Sequence, residues 1–351
     1  MRVHLVAVQA AMRVDVYSSA QAFAAWVLDL GLRATEDARA GGAAVVLAFP
    51  ELIALPLSFT LAGRGGPLED AGSLPLAAWR SLRRDWPEVA AAAVRYGRLG
   101  PAAVHLARAP AVHRAYADAF REVARATGAT VVAGSALLPD VDVEAARGVH
   151  VTGARAFNVA YTFAPGGALL GRSRKAHLTP GLESRAGLAR GSVAELPVMC
   201  LPWGRLGVAV CMDGWYEGVV AHLDGGGAQV VVQPSANDAD WQRPWPPDPG
   251  LSEGEAWLAR GLNALLQGRV NLRYAVNPML VGEAFGFAPR GRSSILANAD
   301  RTAHAWVDGR IGVVALAPSS DREAFVHVAV DLPDGPEAPA PAGQAGGRMR
   351  S

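Results

Sequence analysis

Apolar positions along this chain fall into short alternating or continuous runs separated by amphipathic stretches, the pattern of strands and helices taking turns. Val3 to Gln9 alternates as a strand does. Ser18 or Ser19 stands where a helix N-cap belongs, ahead of Phe23, Trp26, Val27 and Leu30 at helical spacing, and Gly41-Gly42 closes that region. Ala43 to Phe49 is a continuous apolar run, as in a strand buried on both faces, and ends at Pro50-Glu51. The three pieces form a β-α-β unit. It delivers a carboxylate to the C-terminal edge of a strand, where α/β proteins place their chemistry. Glu51 could equally be a solvated loop charge, but the apolar Leu52-Ile53-Ala54-Leu55 that follows argues against free solvation.

Further along, Leu61 to Val112 reads as two or three short helices broken at Pro87 and Gly100-Pro101. Ala111 to Thr127 is an amphipathic helix with Tyr116, Phe120 and Val123 on its apolar side, closed by Gly128. Thr130 to Ser135 is a strand. Phe157 to Phe163 and Ala168 to Leu170 flank Pro165-Gly-Gly167 as a hairpin, which exits into Gly171-Arg-Ser-Arg-Lys-Ala-His-Leu178. Gly207 to Val210 is another buried strand, Val219 to Leu223 is helical, and Ala228 to Gln233 is again a buried strand. Asn237 to Gly250 is a loop holding Trp241, Trp245 and four prolines. Ser252 and Glu255 have the spacing of a capping box for a helix running to about Gln267. Arg273–Asn277, Ser293–Leu296, Ile311–Leu316 and Ala324–Val330 complete the strands. From Leu332 the chain is Pro, Ala and Gly, with too little apolar content to pack. The expected organisation is one domain over 1–331, with a helical insertion at 61–112, and a disordered tail over 332–351.

Composition changes this picture little. Hydrophobic residues make up 51% of the 351, enough for a sizeable core, and a net charge of +1 gives no electrostatic reason to bind nucleic acid or an anionic membrane. The N-terminal apolar stretch is short and broken by His4, and no run has the length of a membrane span. Cys200 and Cys211 are the two cysteines, too few for a disulfide framework, so both are expected unpaired in a reducing cytoplasm. Cys200 is expected to be a small core residue. No metal-type spacing is seen, and no cofactor is expected.

The candidate chemistry gathers at Gly204-Arg-Leu-Gly-Val-Ala-Val-Cys-Met-Asp-Gly-Trp-Tyr216. A cysteine at the end of a buried strand, just before the turn signal Asp213-Gly214, has its sulfur pushed out of the sheet. Backbone N–H groups at the start of the next segment lie beside it, placed to bind an oxyanion. A buried structural cysteine fits this stretch alone equally well.

Three stretches together resemble the nitrilase superfamily of carbon–nitrogen hydrolases: Phe49-Pro-Glu51-Leu, Gly171-Arg-Ser-Arg-Lys175-Ala-His-Leu and Gly207-Val-Ala-Val-Cys211-Met-Asp-Gly. The resemblance extends to Asn158, Val231-Val-Gln-Pro-Ser235, Tyr274-Ala-Val-Asn277 and Gly291-Arg-Ser-Ser294, and covers roughly residues 1–330. It implies an α/β fold, an α-β-β-α sandwich of two mixed sheets. It also implies Cys211 as nucleophile, Glu51 as general base, and Lys175 with the Met212 backbone N–H as holders of the oxyanion. Glu183 matches a second glutamate that amidase members place beside the lysine, though a surface loop charge is also consistent. Trp215 either lines the substrate pocket or packs. His177 is expected to pack at the strand exit, and Asp213 to shape the turn and cap the next segment.

Two departures from the family pattern stand out. Tyr216 is followed by Glu217-Gly218 where members usually have Pro-Glu, and the 61–112 segment is longer than usual. Cys211-Met-Asp-Gly looks more like the amidase and carbamoylase branches than the nitrilases, and no arginine follows the cysteine closely as in carbamoylases. The resemblance therefore implies a small-molecule substrate: an amide, with carbamoyl compounds or nitriles as the alternative. It implies a homodimer or higher homo-oligomer. A catalytically silent binding or scaffolding protein on the same fold is the reading from another class, and the set Glu51, Lys175, Cys211 speaks against it. The insertion and the 237–250 loop are expected to roof the pocket and favour a bulky or apolar acyl group, the competing idea being that the insertion packs on a partner subunit.

Overall fold

Strand residues that face two different apolar layers explain why the runs in the sequence are continuous. In Arg2–Gln9, Val3, Leu5 and Ala7 point into a core between two sheets, while Val6 and Val8 point into a core between the first sheet and its helices. In Val230–Val232 the same division holds: Val230 and Val232 face the other sheet, and Val231 faces the helices of its own. Three apolar layers thus lie between four layers of secondary structure, an α-β-β-α sandwich. The computed structural model describes residues 1–61, 72–144 and 148–333.

The first sheet runs, in spatial order, Ala324–Asp331, Arg2–Gln9, Ala44–Ala48, Thr130–Val132, Gly148–Phe163 and Ala136–Glu144, with Leu169–Arg174 also paired to Gly148–Phe163. The second runs Val313–Leu316, Ser294–Ala297, Tyr274–Asn277, Val230–Val232, Gly204–Val208 and Val198–Leu201. Both are mixed. Arg2–Gln9, Ala44–Ala48 and Thr130–Val132 are parallel, as are Gly204–Val208, Val230–Val232 and Tyr274–Asn277, and the outer strands are antiparallel. The Glu51 and Cys211 strand ends therefore come from the parallel centres of opposite sheets.

Local signals acted as expected at several helix starts. Ser19 accepts from the Ala22 N–H and caps Ala20–Ala34. Ser252 and Glu255 form the full capping box. The helix behind that box is shorter than its pattern suggests. It stops at Ala259 and resumes as Gly261–Leu266, because Gly261 takes a left-handed φ of 51° and lies under the Trp215 ring, where a Cβ would come within 2.7 Å.

The 61–112 segment also departs from expectation. Leu74–Arg84 and Trp86–Tyr96 are helices, with Pro87 in the first turn of the second. The third element is not separate from the amphipathic helix. Pro101–Thr127 is one helix of 27 residues that runs through Pro110, buried through most of its length against the first sheet. Side-chain packing of Val104, Leu106, Ala109 and Val112 outweighs the lost proline N–H. Asp85, buried between Arg84 and Arg108, ties the helical pair to the long helix. Trp79 and Trp86 point to solvent, not to the core.

Three further expectations are corrected. The strand Ala136–Glu144 and the first half of Gly148–Phe163 were not apparent in the pattern, because their outer residues alternate with charge and lie half exposed. Cys200 is exposed: on the edge strand Val198–Leu201 it is Met199 that faces the inter-sheet core, and the alternating register turns Cys200 outward. The packed chain also continues past 331. Leu332 is buried between the sheets, its N–H bonded to Met1 O, and Gln229 donates to Pro333 O. The rest of the expected tail, 334–351, and residues 62–71 of the insertion lie outside the described residues. Among the described residues no helix is long and apolar enough to cross a membrane.

Gly134 tests how tightly the first sheet holds the Glu51 turn. Its φ is 67°, and a Cβ there would come within 2.1 Å of Pro50 O, a backbone atom that cannot swing aside. Gly134→Ala is expected to cost at least about 2 kcal/mol in a denaturant titration, beyond the ordinary price of a strained φ. A change below a few tenths would mean the turn is free to move.

Candidate active site

Glu51 leaves the Ala44–Ala48 strand and is fixed from several sides. The Leu52 N–H donates to Ser135 Oγ at 2.9 Å, the Ala54 N–H to Ser135 O, and the Tyr17 hydroxyl to Ile53 O. Leu52 itself is left-handed, with φ 58°. A leucine holds that conformation only where its surroundings over-determine it, at a cost of about 1–3 kcal/mol. The result is a carboxylate 1% exposed, pointing across the sandwich.

Lys175 meets it there from the end of Leu169–Arg174. Its backbone is held by the Lys175 N–H to Asn158 O and the Gly191 N–H to Lys175 O. Its ammonium donates to Glu51 Oε1 at 2.7 Å, to Glu183 Oε2 at 2.8 Å and to Thr179 Oγ1 at 3.1 Å. All three N–H bonds of the ammonium are thereby used. Asn158 completes the group, its amide donating to Glu51 Oε1 at 2.8 Å and Glu183 Oε1 at 2.6 Å. Glu51 Oε2 accepts from the Ala236 N–H, and Glu183 Oε2 from the Thr179 N–H.

Cys211 arrives from the other sheet. Its N–H donates to Pro234 O, its carbonyl accepts from the Gln233 side chain at 2.8 Å, and it opens a single tight helical turn, Cys211–Trp215. Its φ is 49°, so this residue too is left-handed and strained. Gly214 must be glycine for the same anchor, since a Cβ would fall 2.3 Å from Gln233 Nε2. Asp213 differs from expectation: its carboxylate does not cap the next helix but accepts the N–H groups of Ala176 and His177 and the His177 ring at 2.9 Å. It thereby bolts the cysteine turn to the lysine segment. The His177 ring is packed, as expected, stacked on Tyr216 with centroids 3.6 Å apart.

Electrostatics in this site run against a pre-formed thiolate. Burial pushes the Cys211 thiol well above its ordinary range, and the Glu51 charge pushes it further, outweighing the pull of Lys175. Burial also raises Glu51, offset in part by Lys175. Burial would lower Lys175, but the Glu51 and Glu183 charges outweigh it and raise the group, so the ammonium stays charged. Asp213 is raised by burial, against the N–H groups that stabilise its charge. The arrangement is thus a neutral thiol beside a carboxylate whose basicity has been raised, a pair able to pass a proton between them.

Two cavities meet at these groups. Cys211 and Met212 line a chamber of about 380 Å³ with Trp215, Tyr216, Trp245 and Trp257. Glu51, Lys175 and Glu183 line a larger one of about 660 Å³ whose outer wall is apolar. Thr179, Ala236 and Asp238 border both. Of the expected roof, the insertion contributes Leu74, Pro75, Ala78, Pro101 and Val104 to the larger chamber, and Trp245 lines the smaller. Trp241 does neither: it is buried against Gly254 and Gly291. Glu51, Lys175, Glu183, Cys211, Met212 and Trp215 all lie at this one place. Asn158, Thr179 and Gln233 join them without having been singled out as site residues. For Asn158 a signal existed, since it is an amide in the apolar run Phe157-Asn-Val-Ala-Tyr161 and must find partners when buried.

The family model for carbon-nitrogen hydrolases matches residues 5–252. No curated protein sequence matches the chain. Among solved structures, it is similar to an amidase from Nesterenkonia sp. AN1, seen after Michael addition of acrylamide at its active-site cysteine. The identity is 18%, over 95% of this chain and 93% of that one, with a TM-score of 0.57. A cysteine-to-serine mutant of that amidase, described as from the nitrilase superfamily, gives 18% identity, 95% and 92% coverage and a TM-score of 0.56. A cysteine-to-alanine mutant in complex with butyramide gives 17%, 94% and 90%, and 0.56. At such identity the likeness is one of fold.

The sign of the thiol shift is open to measurement. In a Cys200→Ala background, which removes the exposed second thiol, Cys211 should ionise only above the ordinary thiol range by ultraviolet thiolate absorbance. Glu51→Gln removes the neighbouring negative charge and leaves the positive charge of Lys175, so the Cys211 pKa should fall by about one unit or more. An unchanged or higher value would place the Glu51 charge out of range of the sulfur.

Proposed function

The chain belongs to the carbon–nitrogen hydrolase family, and from that premise we propose that it hydrolyses the C–N bond of a small amide through a Cys211 thioester. The observation that carries this reading is the convergence of Cys211, Glu51 and Lys175, from three strand ends, on one buried point where two cavities meet. A scaffold has no use for a buried lysine, two buried carboxylates and a strained cysteine held at such cost.

Glu51 takes the thiol proton as the sulfur adds to the amide carbon, and the carbonyl electron pair moves onto oxygen. The oxyanion is held by the Met212 N–H and by Lys175, displacing the Thr179 hydroxyl from the longest of the lysine's three bonds. Glu51 then gives its proton to the nitrogen, the C–N bond breaks, and the thioester remains. Water, deprotonated by Glu51, adds to the thioester and expels the thiolate, which recovers the proton. Glu183 and Asn158 keep Lys175 and Glu51 aligned through both halves.

Uncharged amides suit the cavities better than anionic carbamoyl compounds. Among the described residues, Asp238 and Glu253 line them and no arginine does, so a substrate carboxylate would meet like charge. A panel of primary amides, N-carbamoyl amines and nitriles, read by ammonia or amine release, tests the assignment, with amides expected to turn over fastest.

Cys211→Ala should abolish turnover with the fold kept, whereas Cys200→Ala should retain it, both read as product release at equal circular dichroism. The reverse pattern would transfer the nucleophile to the edge strand. Lys175→Arg should lose roughly a hundredfold or more in kcat, because a planar fork cannot replace a compact ammonium between two carboxylates. A near-normal rate in Lys175→Arg would remove the lysine from the reaction.

A further inference from the structure

The two cavities divide the reacting groups between them. Cys211 lines the smaller and Glu51 the larger, and each is absent from the other's wall. Resting on the thioester reading above, this division assigns a side to each half of the substrate. The acyl carbon bonds to sulfur, so the acyl group begins at the cysteine. The departing nitrogen must receive its proton from Glu51, so it lies on the carboxylate's side, and anything attached to that nitrogen extends into the larger chamber. We propose that the larger chamber holds the amine half of an N-substituted amide, and that the substrate is a secondary amide of an apolar primary amine.

Size and chemistry support this occupant. Ammonia is about as large as water, whose share of liquid volume is about 30 Å³, so a primary amide would leave nearly all of the 660 Å³ unused. A volume of that order is typical of a site that encloses a whole small molecule, roughly 300–1,000 Å³. The buried charges Glu51, Lys175 and Glu183 mark the floor, where the amine nitrogen would be, and the exposed Asp238 stands where the two chambers meet. Away from the floor the wall is Leu55, Phe59, Leu74, Val104 and Phe287, which favours a hydrocarbon substituent. His105 adds no charge there: burial lowers it to about 4, and its ring is bonded to the Ala186 backbone. The acyl half is left to the smaller chamber with its four aromatic rings, about 380 Å³.

Microscopic reversibility gives a test that does not need the natural amide. An acyl-enzyme formed from p-nitrophenyl acetate can be captured by an added amine in place of water. The amine nitrogen attacks the thioester carbon and gives its proton to Glu51, the C–S bond breaks, and the thiolate leaves with that proton to give thiol and N-alkyl acetamide. If the larger chamber is the amine site, hexylamine should capture the acyl-enzyme saturably. It should exceed methylamine at equal free-base concentration by about tenfold or more, because the two amines have nearly the same basicity and differ only in the methylenes that the chamber would bury. Filling the chamber by Ala78→Trp, or by Leu74→Trp should the first variant fold poorly, should lower the ratio of captured to hydrolysed product by about tenfold, the hydrolysed fraction serving as internal reference.

Capture that rises linearly with amine, shows no preference for hexylamine, or keeps its ratio in both variants overturns the proposal. So does a result in which the variants discriminate between short and long acyl esters and not between amines, which would make the larger chamber the acyl site. Failure of the wild-type chain to release p-nitrophenol above the Cys211→Ala background, with or without amine, would instead bring down the thioester reading itself, and this inference with it.

Discussion

One ammonium group holds this site together. Lys175 is buried with Glu51 and Glu183, and each charge taken out of water costs several kcal/mol that only close contacts restore. The lysine makes both ion pairs at under 3 Å, and Asn158 bridges the two carboxylates from the other side. Removing any member leaves an uncompensated buried charge or an unpaired amide. The arrangement is therefore an all-or-none unit, and its geometry is stiff for that reason.

Such stiffness must be carried by the backbone, and two strained residues show where. Leu52 and Cys211, both left-handed, follow or form the ends of strands in opposite sheets. Each is clamped by a neighbouring strand end: Leu52 by Ser135, Cys211 by Pro234 and Gln233. Asp213 then joins the cysteine turn to the lysine segment. The site spans both sheets, so its geometry depends on the sheet-to-sheet core of Val3, Leu5, Val46, Val208, Val230 and their neighbours. Packing at crystal-like density makes that core a rigid spacer.

The same burial that secures the ion pairs keeps the thiol protonated. A low-dielectric site with a carboxylate beside the sulfur opposes a free thiolate, even with an ammonium nearby. In the proposed reaction this gives Glu51 one consistent role, carrying a proton between sulfur, nitrogen and water as charge develops. Thr179, Ala236 and Asp238 stand between the two cavities, and the insertion helices supply part of the wall of the larger one.

Alternating and continuous apolar runs marked, by themselves, most of the central strands, because a strand buried on both faces cannot be polar on either; the sandwich they build came only as what the family resemblance implies. Caps at Ser19 and Ser252 were equally legible, being local hydrogen bonds between residues three apart. The order Glu51, Lys175, Cys211, each after a strand, pointed to these residues through the family resemblance it carries, before any contact was known. Tertiary structure decided what depends on distant partners. The long helix runs through Pro110 because the first sheet packs it, the helix after Ser252 breaks at Gly261 because Trp215 lies over it, and Cys200 faces solvent because its strand is at an edge. It also decided that Asp213 serves the lysine segment, that Trp241 packs while Trp245 lines a cavity, and that Cys211 and Glu51 face different chambers. None of these could be read from spacing, since each is set by which side chain the fold brings alongside, across gaps of tens to hundreds of residues.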